Sequence, residues 1–389
     1  MNSRPDAGPV RLYLSVVFWG EEYRRYFLDY CLASLMAEGN IPAIKDKPNA
    51  KLLIATTAED WRLLQTEIIF QAARALIAIE HILHEVPERI LISEKMAVMS
   101  RAHKLLAQRM FEERAHGVFI YPDMIAATNF IGKLDELARR GFKAVLYMNV
   151  RFANEGILDE LRTTGQAQCG QPLSIAAPEL VQLTIRHMHS EMARSEFVKQ
   201  YRDYGTASFF WMVSPGADLL FHCGSWVPML MDYSAIEQHD ITTFDEWTVD
   251  GDYVAKNVSK IEDVYALRSS DELFMISFTP ESRLSYSLEP YSPYKLRWTR
   301  NALKVFMANQ YLYGQGILDP IKKELFRLPI RLRGGQATEQ RWHNAEARAA
   351  RIIRRIEQRD LSIFERLVNT VLRSLRGLYR GTALALGRR

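Results

Sequence analysis

The stretch His116-Gly117-Val118-Phe119-Ile120-Tyr121-Pro122-Asp123 decides how the chain is read. Residues 118–121 are an apolar run of strand length. Pro122 ends it, because proline has no N–H to give a sheet ladder. A single carboxylate, Asp123, follows at once, and helical sequence lies on both sides. In an open α/β sheet, ligands bind outside the carboxyl ends of the strands, so Asp123 stands where chemistry is usually done. The other role open to it is that of a turn or helix N-cap residue.

The sequence around this stretch repeats the same alternation. Residues 10–18 (VRLYLSVVF) are rich in β-branched and aromatic side chains and predict a first strand, with residues 19–23 as the loop at its end. Helical spacing runs over 23–36 and stops at Gly39-Asn40. Residues 51–57 (KLLIATT) predict a second buried strand, and Asp60 or Thr57 can cap a helix over 61–75. A strand near 75–79, a short apolar piece at 89–92 and a long helix over 93–114 lead to the opening stretch. An amphipathic helix over 130–140 and a strand over 143–150 follow it. Strands alternating with helices predict the α/β class: a mixed, mostly parallel sheet flanked by helices.

After Pro178 the pattern changes. The spacing predicts a helix over 178–201, paired strands at 209–213 and 218–222, an acidic loop-rich segment over 232–253, and short strands at 264–266 and 273–278. A Pro/Tyr loop at 286–294 and a helix over 295–313 complete the body. This half reads as an acceptor-side elaboration of the same sheet. The expected organisation is therefore one domain over 1–320, with halves at about 10–150 and 151–320, followed by a basic tail over 321–389.

The totals bound the answer further. With 389 residues, 48% hydrophobic and 25% charged, the profile is that of a soluble globular protein. Cys31, Cys169 and Cys223 include no CxxC pair, which argues against a zinc ribbon or disulfide scaffold and fits a reducing compartment. No apolar signal-peptide core and no membrane-spanning run is present, so a cytoplasmic protein is expected. Residues 321–389 hold 17 Lys/Arg and 6 Asp/Glu, leaving 33 and 40 for the rest, so the net +4 combines a mildly acidic body with a strongly basic tail. Leu361, Phe364, Leu367, Val368, Val371, Leu372, Leu375 and Leu378 fall at helical spacing, with Arg366, Arg373, Arg376 and Arg380 largely elsewhere. Such a helix suits an anionic membrane surface, here the inner face of the cytoplasmic membrane. It equally suits docking on the body or on a second subunit in a homo-oligomer. No nucleic-acid partner is expected, since the basic region has no recognised binding fold and the body is acidic.

Several chemistries are set aside by missing motifs: GxxxxGK[ST], GxGxxG, GxSxG and HExxH are all absent. His187 and His189 are spaced i, i+2 on the expected helix, so their rings point apart. What remains is a set of polar groups at expected strand ends: Trp19, Gly20 and Glu21; Thr56, Thr57 and Asp60; Asp123; Asn149 and Arg151; His222; and Asp250 with Asp252. Groups converging at the C-terminal edge of a sheet suit a nucleotide-linked substrate with a divalent cation. Mg²⁺ or Mn²⁺ is often held by one or two carboxylates plus phosphate, and offsets charge on a diphosphate leaving group. Each member also has a purely structural role available: Glu21 and Asp60 as caps, Trp19 and His222 as core, Asp250 and Asp252 as the shapers of a glycine turn.

Residues 12–44, opening LYLSVVFWGEEYRRYF, and residues 51–61 (KLLIATTAEDW) resemble a group of bacterial glycosyltransferase-like proteins of the GT-A, nucleotide-diphosphosugar transferase type, often associated with cell-surface polysaccharide. The resemblance continues through Arg101-Ala102-His103, the opening stretch, Phe221-His222 and Thr248-Val249-Asp250-Gly251-Asp252-Tyr253, and covers roughly residues 10–280. It implies transfer of a sugar, of hexosyl type, from a nucleotide-diphosphosugar to a glycan or lipid-linked acceptor, or a non-catalytic binding or assembly component built on the same fold. It implies Asp123 as the strand-end carboxylate, with Asp250 or Glu246 as the base of an inverting reaction. Trp19, Gly20, Glu21, Thr56, Thr57, Asp60, His103, Asn149 and Arg151 become the nucleotide-sugar contacts, and Asp123, His222 and Asp252 the cation ligands. The chain departs from the usual Asp-x-Asp in having Tyr121-Pro122-Asp123-Met124, so either Asp250, Asp252 or His222 completes a metal site from elsewhere in the chain, or no metal is bound.

Overall fold

The β-branched run that opens the chain forms β1 (Leu12–Val17), buried at every position. In the computed structural model the described residues are 10–87, 91, 94–148, 151–199, 208–249, 253–288, 305, 308–309, 320–357, 366–367 and 370–371. Twelve further strands follow: β2 (Lys51–Thr56), β3 (Ala78–Leu83), β4 (His116–Phe119), β5 (Met124–Ala126), β6 (Ala144–Met148), β7 (Arg151–Ala153), β8 (Phe209–Ser214), β9 (Asp218–His222), β10 (Trp226–Asp232), β11 (Val264–Ala266), β12 (Met275–Thr279) and β13 (Ile330–Arg333).

Seven of these make the central sheet, in the order β3-β2-β1-β4-β10-β6-β11. β1 pairs in parallel with β2 and β4, β2 with β3, and β6 with β11, while β10 runs antiparallel to both β4 and β6. The fold is therefore a mixed α/β sheet, mostly parallel, with helices packed on it, as the alternation predicts. The helix Lys95–Glu112 packs against β1, β2 and β4, and Phe130–Arg139 against β10. Gly117 lets that packing close, because a Cβ there would lie 2.5 Å from Met110 Sδ and 2.7 Å from the Tyr233 ring. Ser15, buried in mid-strand, is satisfied by donating to the Val118 carbonyl at 3.0 Å.

Strand order creates the site. The chain steps outward from β1 through β2 to β3, then returns to lay β4 on the other side of β1. Connections thus leave in opposite directions at the β1/β4 boundary. That is the topological switch point, where a crevice opens beyond the carboxyl ends of the strands. A second sheet, β5-β12-β7, stands just past it, and the Asp123 carbonyl accepts from Phe278 N–H at 2.9 Å.

Several expectations change in detail. The strand expected near 75–79 is Ala78–Leu83. The opening strand is His116–Phe119, so Ile120 and Tyr121 already belong to the strand-end loop. The helix expected over 61–75 is two, Ala58–Leu64 and Ile68–Arg74. Thr66 sits between them and donates both its N–H and its hydroxyl to Leu63 O. Its hydroxyl competes with helix continuation. The helix expected over 178–201 ends at Arg186 and restarts as Ser190–Ala193. Between them His187 O accepts from Ala153 N–H and Met188 bridges Phe152, so this piece extends the small sheet instead. β10 has no counterpart in the sequence reading.

The basic stretch from 321 onward is built into the body where it is described. β13 pairs with β9 in a third sheet, β13-β9-β8. The helix Glu339–Ile356 brings Trp342, Ala349 and Ile356 onto Trp211, Phe209 and Leu220 as a second core. The apolar face expected over 361–378 lies outside the described residues, apart from 366–367 and 370–371. Among the described residues, no helix is long and apolar enough to cross a membrane.

Candidate functional site

At the switch point lies a cavity of about 260 Å³, lined by Val17, Phe18 and Trp19 from the end of β1, by Tyr23, by Ile120, Tyr121, Pro122 and Asp123 beyond β4, and by Lys95, Met96, Met99 and His103 from one helix. Apolar and aromatic groups form most of the wall. Asp123 is the one carboxylate among them. It is half-buried, and its backbone is clamped by β12. Burial pushes its carboxyl up to about 6, against a backbone hydrogen bond and the charges of Arg151 and Arg283, which hold it down. Without those two guanidiniums the anion would be less favourable still.

His103 forms the facing wall. It is buried, and its Nδ1 lies 2.8 Å from Thr248 Oγ1. Burial, and then the neighbouring His84, lower its pKa to about 4, so the ring is neutral at physiological pH. Ser100, one turn away on the same helix, donates to the carbonyls of Phe244 and Trp247. The 244–248 turn is thereby tied to the cavity wall. Lys95 opens that helix and is exposed at the rim.

The residues singled out in the sequence divide by position. Trp19, His103 and Asp123 line the cavity together. Arg151 starts β7, close enough to act on Asp123 and 3.8 Å from Glu191. Gly20, Thr57 and Asp60 make a clasp behind it. Buried Asp60 accepts from Gly20 N–H at 2.9 Å, from Thr57 Oγ1 at 2.8 Å and from Arg24, while Thr57 caps the helix Ala58–Leu64 through Asp60 N–H. Asp60 with its oxygens so engaged positions the loop rather than offering a free ligand. Gly20 takes a φ of 80°, which a side chain would strain. Glu21 is exposed in the first turn of Glu21–Tyr26. Thr56 is buried, and its Oγ1 has no partner among the described residues.

His222 does not join this group. It lies in the second core against Trp211 and Phe326, with Nδ1 2.9 Å from Phe326 O. Burial lowers its pKa to about 4. A ring held by a carbonyl there packs as a core histidine and is not part of the cavity lining. Asn149, Asp250 and Asp252 lie outside the described residues, as does the Glu246 side chain, whose backbone ends the short helix Thr243–Glu246. Among the described residues no group of three or more His, Cys, Asp or Glu is placed to hold a metal ion. A cation beside Asp123 would have to draw its remaining ligands from phosphate oxygens, a coordination that Mg²⁺ accepts. Tyr23, Lys95 and Arg283 were not singled out in the sequence. Lys95 carried the one usable signal, a cation at the start of a long helix that precedes β4.

No protein-family model matches the chain, and no curated protein sequence matches it. Solved structures similar to part of it include a Bacillus anthracis protein assigned as a glucose-1-phosphate thymidylyltransferase, in complex with sucrose, at 10% identity and a TM-score of 0.24 over 37% of this chain and 57% of that one. Mouse xyloside xylosyltransferase 1 in its apo form is similar at 14% identity and a TM-score of 0.23, over 43% of this chain and 63% of that one. The chain thus spans less than two thirds of either structure's length.

Proposed function

We propose that the chain is a glycosyltransferase that moves a sugar, of hexosyl type, from a nucleotide-diphosphosugar to a hydroxyl of a glycan or lipid-linked acceptor in bacterial surface-polysaccharide synthesis. One observation carries this reading: the switch-point cavity pairs an apolar, aromatic wall with a half-buried carboxylate, Asp123, whose charge Arg151 and Arg283 offset. A nucleoside suits the first, and the guanidiniums, or a cation held at the carboxylate, suit a sugar diphosphate. Trp19 and the Gly20–Asp60 clasp shape the nucleotide end. Asp123 meets the sugar–phosphate, with a cation there only if phosphate completes its shell. His103, neutral, offers a hydrogen bond without adding charge. The acceptor's proton goes to a carboxylate on its side of the anomeric carbon, and Asp250 and Glu246 are the candidates for that base. Residues 1–320 carry the proposed transferase site, residues 320–357 complete the body around β9, and the amphipathic 361–378 segment is the proposed contact with the inner face of the cytoplasmic membrane.

The single carboxylate also supports a second reading, a non-catalytic binding component of the same system. A thermal-shift screen against UDP-, GDP-, CMP- and dTDP-sugars, with and without Mn²⁺, tests both. Catalysis predicts a shift with at least one donor, turnover of that donor, and loss of turnover in Asp123→Asn with the fold intact. Full activity in Asp123→Asn rejects the site. No shift with any donor rejects the transferase.

A further inference from the structure

The segment that follows β12 crosses from the small sheet to the helix beginning at Glu21, and it is pinned at three points. Glu281 accepts from Ser190 N–H and Ser190 Oγ, Glu281 N–H donates to Glu155 at 3.2 Å, and Tyr286 N–H donates to Ser190 Oγ at 2.9 Å. Between these anchors Arg283 reaches back over the cavity edge. It donates to Glu22, and at 3.4 Å to the hydroxyl of Tyr23, a wall residue, with its guanidinium 6.0 Å from the Tyr23 ring centroid. Glu22 is held from the other side by Tyr26 Oη at 2.9 Å, and Tyr26 by Asn154 Nδ2 at 3.0 Å.

This ion pair is built to exchange. Both side chains are solvent-reachable, at 46% and 41% exposure, and an exposed carboxylate is a weak partner for arginine. A phosphate offers the same fork a bidentate contact with more charge. Lys95, which lines the cavity, also acts on Glu22 through its charge. The charge of Arg283 acts on Asp123 as well.

We infer that Arg283 is the phosphate-gripping residue of this site, that Glu22 holds it in waiting, and that the donor's diphosphate displaces Glu22 when it binds. The inference rests on the nucleotide-diphosphosugar reading. It makes Arg283 a specificity residue for diphosphate over free nucleoside, and Glu22 a competitor whose removal helps binding. While the pair is intact Arg283 also offsets the charge of Asp123, together with Arg151. Other groups that act on that corner, among the described residues, include the phenols of Tyr23 and Tyr26 and the buried thiol of Cys31.

Calorimetric titration of the full-length chain with UDP, GDP, CDP and dTDP, and with the matching nucleosides, tests this in wild type, Arg283→Gln, Glu22→Gln and the double variant. The expected result is at least tenfold weaker diphosphate binding in Arg283→Gln with nucleoside binding unchanged. Glu22→Gln should bind the diphosphate several-fold more tightly, and the double variant should match Arg283→Gln alone. A melting curve close to wild type, expected at so exposed a position, confirms that the fold is kept. Wild-type diphosphate affinity in Arg283→Gln overturns the inference and leaves the transferase reading standing. A wild-type chain that binds none of the four diphosphates overturns both. In an activity assay, Arg283→Gln should also move the acidic limb of the pH profile upward, which a purely structural strap would not do.

Discussion

Asp123 is asked to be buried and to be charged. Its folded carboxyl titrates at about 6 against 3.8 for the free side chain, burial being the larger cause. Between those two pH values the folded state keeps a proton that the unfolded state has released. Stability therefore falls as pH rises through this window and stays lower above it. Asp123→Asn removes the burden. At pH 7 the variant should melt higher than wild type, by up to roughly 3 kcal/mol, and the gap should close below about pH 4. Denaturant titrations at pH 3.5 and 7 measure both. Turnover, which needs the carboxylate, should rise through about pH 6 in wild type. A variant that is more stable and inactive is the signature of a site residue held against its own preference. Asp123 was visible in the sequence because a strand, a proline and a lone carboxylate are adjacent. Arg283 was not, since its partners Glu22 and Tyr23 lie far off in the chain and no local spacing announces the contact.

At the level of elements, the loop after β1 is set by the segment after β2. Asp60 takes donors from Gly20, Thr57 and Arg24, and both the buried carboxylate and the guanidinium depend on the pairing. Asp60→Ala leaves Arg24, whose side chain is 14% exposed, without this partner. Breaking a pair this buried should destabilise by about 3 kcal/mol. It should also weaken ligand binding by loosening Trp19, measured by denaturation and by titration with a donor. Strand β10 is the element the sequence hid. Its run Trp226-Val227-Pro228-Met229-Leu230-Met231-Asp232 carries a proline inside a central strand, which ordinarily argues against a strand. The structure accommodates it with a register shift between Pro228 and Leu230 against β6. β1 and β2 were legible for the opposite reason: they are largely apolar runs without proline, buried on both faces over most of their length. The helix over-read across 178–201 fails where Met188 finds a strand partner, a tertiary contact that periodicity does not encode.

For the whole molecule, the basic C-terminal region has two parts with different duties. Residues 320–357 complete a sheet and a core; Trp342 is fully buried there, and β13 covers β9. A chain cut after residue 320 would bare Trp211, Leu220 and His222, and should lose cooperative melting and aggregate. Liposome co-sedimentation of a chain cut after residue 357 against the full chain tests membrane attachment by the 361–378 segment. Equal pelleting of the two rejects it.

The antiparallel insertion of β10 also bears on how the chain reaches its fold. β4 pairs on one edge with β1, but its other edge is filled by a strand that emerges from the ribosome roughly a hundred residues later. Until then the nascent half carries a buried-type apolar strand with an open edge, a template for wrong pairing. Contacts so far apart in sequence make folding slow. Expression of the N-terminal half alone is therefore expected to yield aggregates, and the intact chain to depend on chaperone protection during synthesis in a way that its mature stability does not reveal.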